Sequence, residues 1–136
     1  MQVWPSSRSP KTLPSEPVEY PIGSFLKTEK GYFYIVADNK RYRITTKRCL
    51  NSWSPQRVVV TTEAALAGYR IAAKLKFRNG SLIHGFFDGR LYLIEGGKRR
   101  HIVSPDAFDR IGGRLQDVVA VSLDEINLHP EGAPLA

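Results

Sequence analysis

Two stretches of this chain repeat one another in order, and no other feature narrows its possible folds so far. Gly23-Ser24-Phe25-Leu26 aligns with Gly80-Ser81-Leu82-Ile83 at an offset of 57. After one inserted residue, Gly31-Tyr32-Phe33-Tyr34-Ile35-Val36 aligns with Gly89-Arg90-Leu91-Tyr92-Leu93-Ile94, and Lys40-Arg41-Tyr42-Arg43-Ile44 with Lys98-Arg99-Arg100-His101-Ile102. Leu50 then falls opposite Phe108, and Val58-Val59-Val60-Thr61 near Val119-Ala120-Val121-Ser122 once three more residues are inserted. Self-similarity at one fixed spacing is the mark of a small supersecondary unit written more than once.

The later copy is the easier to read. Ser81 to Phe86 is a short strand, Asp88-Gly89 a turn, and Arg90 to Glu95 a second strand rich in residues that favour pleated backbone. Gly96-Gly97 can adopt the positive φ of a tight hairpin, so Lys98 to Val103 returns antiparallel; Asp38-Asn39 takes the same place in the earlier copy. Ser104-Pro105-Asp106 is a helix start, with a hydroxyl cap, a proline at the first position and an acid near the dipole's positive end. Ala107, Phe108 and Ile111 share a face, and Gly112-Gly113 ends the helix. A strand at Asp117 to Val121 and a short helix from Ser122 follow. The earlier copy is expected to place a cap at Thr45 or Thr46, a turn through Cys49 and Leu50, a strand at Arg57 to Thr61, and a helix from Thr62 to Lys74 that links the copies. Cys49 aligns with Ala107, which predicts a small buried side chain.

The expected fold is therefore α+β: two tandem β-rich units, each a three-stranded antiparallel sheet with a short helix and a further strand. The boundaries fall at residues 1–21 for a proline-rich arm, 22–78 for the first unit with its linking helix, and 79–136 for the second. Prolines at 5, 10, 14, 17 and 21 deny the arm a helix or a central strand. An extended arm anchored on a neighbouring subunit through Val3, Trp4 and Tyr20 is one reading, and a tail without fixed structure is the other.

Charge is divided along the chain. Residues 21 to 78 hold 12 basic and 3 acidic side chains, a balance of +9, whereas residues 79 to 136 hold 6 and 8, a balance of −2. Such polarity suits docking in a fixed orientation onto an acidic partner or another copy. The single cysteine excludes an internal disulfide and a cysteine-based zinc site. There is no signal-peptide pattern and no apolar run near the roughly 20 residues that span a bilayer, so the expectation is a protein of the cytoplasm with no membrane partner.

Chemistry is poorly provided for. His84, His101 and His129 are scattered, and none stands near an acid at catalytic spacing. Asp106, Asp109, Asp124 and Glu125 read as helix-start or surface acids that specify no metal cage. No glycine-rich loop opens a long helix, as a phosphate site requires. The expectation is no catalytic residue, no metal and no cofactor.

The run Gly89, Leu91-Tyr92-Leu93-Ile94-Glu95, Gly97-Lys98-Arg99, Ile102, Ser104-Pro105, Phe108, Gly112, Val118-Val119 and Pro130-Glu131-Gly132-Ala133-Pro134-Leu135 resembles a short β-rich repeat of bacterial surface-associated proteins and of tailed-bacteriophage virion proteins. The resemblance covers residues 79 to 136 well and 22 to 66 weakly. The earlier copy departs from it at Lys47 and Arg48, where Pro105 and Asp106 stand in the later one, which puts a full helix there in question. It implies a module for adhesion or recognition without catalytic residues. With the arm and the charge polarity, it points to a bacteriophage virion structural or attachment protein, a tail, neck or capsid-associated component assembled in the host cytoplasm. Its partners would be other virion proteins or copies of itself. Arg41, Arg43, Arg99 and Arg100 are the expected surface contacts, with Trp4 anchoring the arm.

Two other readings compete. Lys40, Arg41, Arg43, Lys47 and Arg48 interleave with Tyr32, Tyr34 and Tyr42, a combination that can hold phosphates and stack on bases, although strand alternation puts Arg41 and Arg43 on one face and Lys40 and Tyr42 on the other. Alternatively Tyr34, Tyr92, Trp53 or Trp4 would stack on the sugar rings of a glycan or cell wall.

Overall fold

A computed structural model describes residues 12–136, so the arm anchors Val3 and Trp4 lie outside the described residues. The fold is mixed and mostly β, with two sheets and three short helices. Its residues gather into two compact units that are each discontinuous in sequence. One comprises the chain up to Arg43 together with Arg57–Ala73, and the other Ile44–Gln56 together with Lys74–Ala136. The expected boundary between residues 78 and 79 did not anticipate this interleaving.

In the first unit, β1 (Phe25–Lys27) pairs antiparallel with β2 (Phe33–Ala37), which lies beside β3 (Lys40–Ile44). The turn between β2 and β3 works because Asp38 and Asn39 both accept left-handed backbone, at φ 52° and 65°. β4 (Val59–Val60) joins the free side of β1 in parallel, and β5 (Arg70–Ile71) joins the free side of β3 in parallel. The order is β4-β1-β2-β3-β5. Strand alternation turns Leu26, Tyr34 and Val36 inward, where they pack with Leu66 and with the partly buried Tyr20, Val59 and Tyr69.

In the second unit, β6 (Leu82–Gly85), β7 (Leu91–Glu95) and β8 (Lys98–His101) form an antiparallel meander, and β9 (Val118–Val121) adds to β6 in parallel. Gly96 and Gly97, at φ 62° and 76°, make the turn that Asp38-Asn39 makes in the first unit. The outer side of β8 is met by parallel bridges from Glu131 and Leu135. Arg99 donates its amide to the Pro130 carbonyl and accepts from Gly132, while Leu135 donates to His101 and accepts from Val103.

Each sheet is thus larger than the expected three strands, because the later strand joins it instead of lying apart. The pairing also corrects the alignment by one residue. Val59 opposes Leu26 and Val119 opposes Ile83, so Val59, and not Val58, corresponds to Val119.

The short helices start where hydroxyl caps stand. Thr46 accepts from the Cys49 amide at the head of α1 (Lys47–Ser52), and Ser104 accepts from the Ala107 amide at the head of α2 (Pro105–Arg110). The departure at Lys47 and Arg48 does not shorten α1, which has the same six residues as α2. α2 seats Ala107 and Phe108 against Ile102 and the partly buried Leu82, Leu91, Leu93, Val118 and Leu135.

The expected helix over Thr62 to Lys74 is absent. Residues 63 to 68 form successive turns, with bonds from Leu66 to Glu63, Ala67 to Ala64 and Tyr69 to Leu66, before β5 begins. Tertiary bonds outweigh the helix propensity of Ala64, Ala65, Leu66 and Ala67. Val18 donates to the Ala65 carbonyl, Thr62 donates to that of Pro14, and the β5 backbone is drawn onto β3.

Candidate interaction surface

The residues expected to meet a partner are placed very differently from one another. Arg41 donates to Glu63 at 3.0 Å and lies 5.1 Å from the Tyr34 ring centroid, so both its charge and its plane are engaged within the first unit. Arg43 lies 3.9 Å over the exposed ring of Tyr32 and remains at the surface. Arg41 and Arg43 do share a face, with Tyr32 and Tyr34 packed edge to face beside them at 6.5 Å. Arg99 donates to the carbonyls of Ile126 and His129 and closes the end of α3 (Leu123–Ile126). Arg100 donates to the Ala133 carbonyl at 2.8 Å and to Glu95 at 2.6 Å, tying the final segment to the sheet. Trp4 lies outside the described residues. The rings proposed for sugar stacking are also occupied: Tyr34 and Tyr92 are buried, and the Trp53 indole donates to the Lys76 carbonyl at 2.9 Å.

Groups able to do chemistry are bonded inward in the second unit. Glu125 is 2% exposed. Its Oε2 accepts from the Thr46 hydroxyl at 2.6 Å, and its Oε1 accepts from the Ser122 amide at 2.8 Å and from Arg48 at 3.1 Å. The two ends of the capping box, Ser122 at the N-cap and Glu125 three residues on, satisfy each other across the start of α3. A helix-start acid was expected here, but its burial was not. The only available sequence signal was the spacing Ser122-x-x-Glu125 before Ile126.

His129 is fully buried. Its Nε2 accepts from the Phe77 amide at 3.2 Å, so Nδ1 carries the proton and donates to the Gly97 carbonyl at 2.9 Å. Burial pushes its pKa down, the Gly97 bond pushes back, and the charges of Lys76 and Arg99 lower it further. Cys49 is buried as expected, and its thiol is pushed up to about 12 by burial and by the Glu125 charge. A thiol held so high is not a nucleophile near neutrality. Among the described residues no three His, Cys, Asp or Glu side chains come together in a way that could hold a metal ion.

Large apolar side chains, by contrast, face outward. Phe86 and Phe87, at the turn between β6 and β7, are 64% and 77% exposed, and Leu115, which begins the 3-10 turn Leu115–Asp117, is 76% exposed. The turn holding the two rings is stiffly built. Phe86 donates its amide to Val121, and Gly89 donates to Gly85. Asp88 accepts from the Arg90 amide at 2.9 Å and from the Tyr92 hydroxyl at 2.5 Å. Burial alone would raise the Asp88 carboxyl, but these bonds and the Arg90 charge outweigh it and hold its pKa below the ordinary value. Gly85 admits no side chain, since a Cβ there would lie 2.4 Å from Asp88 Oδ1 and 2.5 Å from Ile126 Cδ1.

Close to this turn runs an open groove of about 600 Å³, lined by Gly89, Arg90 and Leu91 at one end and by Val103, Pro105, Phe108, Asp109 and Leu115 along α2. Gly113 shapes its wall, because any Cβ there would collide with the Phe108 ring at 2.5 Å.

No protein-family model matches the chain. A curated relative, Protein CgeD of Bacillus subtilis (strain 168), is 28% identical over 126 residues, which is 90% of this chain but 28% of the relative. The chain therefore spans little more than a quarter of that protein's length. No solved structure matches.

Proposed function

We propose that this chain is a duplicated, non-catalytic binding module acting through protein-protein contacts. Duplication is supported by two meanders that carry the same turn, the same hydroxyl cap on the following helix, and a parallel strand added to the first strand of each. It continues beyond the meander: Thr62 caps the Ala65 amide as Ser122 caps that of Glu125, and Ala72 donates to Arg41 as Gly132 donates to Arg99. On this reading the tandem units are residues 22–78 and 79–136, each carrying its own capped helix.

The single observation that carries a contact function is an inversion of roles. Cys49, Glu125 and His129, the groups that catalysis could draw upon, are bonded into the interior, while Phe86, Phe87 and Leu115 stand in solvent. Two large aromatic rings exposed on one tight turn are a mark of a contact surface. A module that recurs as part of longer proteins is in keeping with the relative of which this chain matches 28%. The setting suggested by the β-rich repeat is a virion, with the chain as a structural or attachment component.

The test is cross-linking of native material followed by peptide mapping. Cross-links from the second unit to another protein or another copy are expected. A chain that sediments alone at 15.3 kDa in extracts of its source refutes the reading. A binding series with single-stranded and duplex DNA decides the competing use of Arg43 and Tyr32, because affinity that falls steeply with salt would transfer the function to nucleic acid.

A further inference from the structure

The turn at Phe86-Phe87 has an internal control. In the first unit, Thr28 donates to Tyr32 and Gly31 to Thr28, just as Gly85 donates to Arg90 and Gly89 to Gly85 in the second. The residues enclosed are Glu29 and Lys30 in one and Phe86, Phe87 and Asp88 in the other. Glu29 accepts from the Glu63 amide at 2.9 Å and so supports its own unit. A polar pair thus satisfies this turn, and the fold gains nothing that demands two phenylalanines in water. Phe86 has Arg48 at 5.7 Å from its ring centroid, whereas the more exposed Phe87 has no ring or cation partner among the described residues.

The groove supplies what Phe87 lacks. Its lining includes Gly89 and Arg90, which belong to or flank the tight turn that carries the exposed Phe87, so the ring and the recess are supplied by one short stretch of backbone. A ring beside a recess is self-complementary under a two-fold rotation: each copy inserts its ring into the other, and the contact closes. The charges obey the same symmetry. Arg90 and Asp109 both line the groove, both are exposed, and neither forms an ion pair among the described residues. A two-fold pairing that set Arg90 of one copy against Asp109 of the other would give each charge a partner.

We propose that a second copy of this chain occupies the groove, Phe87 of each protomer packing against Leu91, Val103, Phe108 and Leu115 of the other in an isologous dimer. This rests on the reading that the chain works through protein-protein contacts, and it names the partner.

The test uses the full chain and measures mass by light scattering and sedimentation across a micromolar concentration series. A concentration-dependent species of twice 15.3 kDa is expected. Phe87→Asp and Leu115→Asp should each weaken it by about 30-fold or more, the loss typical of a central apolar anchor. Both positions are exposed and the first unit has Glu and Lys in its turn, so unchanged circular dichroism and urea midpoints are expected. Mixing the two variants should restore a dimer of intermediate strength, because the intact ring of one meets the intact groove of the other. Arg90→Asp should weaken the dimer and the double variant R90D/D109R recover it. A wild-type chain that is monomeric throughout, or a dimer indifferent to both aspartates, overturns this inference. Either result leaves the contact reading to be judged separately by cross-links to other proteins.

Discussion

Replacing Glu125 is the most direct probe of the second unit, because one carboxylate serves donors on three residues. Glu125→Ala removes the acceptor for the Thr46 hydroxyl, for the Ser122 amide and for Arg48 at a site 2% exposed. The lost cap on α3 costs about 1 kcal/mol. The half-buried Thr46 hydroxyl keeps the Cys49 amide as donor but has no acceptor left for its own proton, which costs about 1–3 kcal/mol. Arg48 adds little, because its side chain is 44% exposed and water can solvate the freed charge. The sum is about 3 kcal/mol, which at a slope of about 2 kcal/mol per molar urea moves the midpoint down by about 1.5 M. Glu125→Gln keeps one acceptor for Ser122, and its amide can donate to Thr46 in place of accepting, so the loss should be about 1 kcal/mol. Arg48→Met should cost less than about 1 kcal/mol. The reporter is Trp53, whose indole bonds to Lys76 within the same unit, followed by fluorescence in a Trp4→Phe background. If the alanine and glutamine variants unfold at the same urea concentration, the carboxylate does not organise the unit and the reasoning fails.

Three further outcomes follow from the second unit. His129 is held neutral with a lowered pKa, so its contribution is complete above the unfolded value of about 6.5 and is lost as pH falls from there towards the folded value; His129→Gln should flatten the melting-temperature profile between pH 7 and 5, and an unchanged slope would falsify the assignment. The Cys49 thiol, buried and raised to about 12, should resist an aromatic disulfide reagent at pH 8 until urea unfolds the chain, so rapid stoichiometric labelling of native protein contradicts the placement. Asp88→Ala should destabilise by about 1–2 kcal/mol by freeing the Tyr92 hydroxyl and the Arg90 amide, with faster hydrogen exchange at residues 86–90 as its local signature; exchange unaltered there would show that the carboxylate does not brace the turn.

Much of the architecture was readable because it rests on local chemistry. Paired glycines and the Asp38-Asn39 pair specify tight turns, Thr46 and Ser104 specify helix starts, and the alignment of Cys49 with Ala107 foretells its burial. What escaped depends on distant segments. Ala64 to Ala67 have the composition of a helix, but their backbone is claimed by bonds to Pro14, Val18 and the sheet edge. Parallel addition of β4 and β9 leaves no local mark, which also explains the one-residue error in alignment. At the surface, the sequence locates positive charge but not its partners. Arg41, Arg99 and Arg100 are bonded within their own units, Arg43 is stacked on Tyr32, and the groove appears only once α2 is laid against β7 and β8.

The two parallel bridges on the outer side of β8 have a bearing on how this protein tolerates cutting. Backbone groups of Arg99, His101 and Val103 are occupied by Pro130, Gly132 and Leu135, so the last seven residues act as a selvedge that keeps the weave from catching on other chains. Trimming them would bare Lys98–His101 as a strand able to recruit foreign backbone, and the shortened protein would clump even with its interior intact.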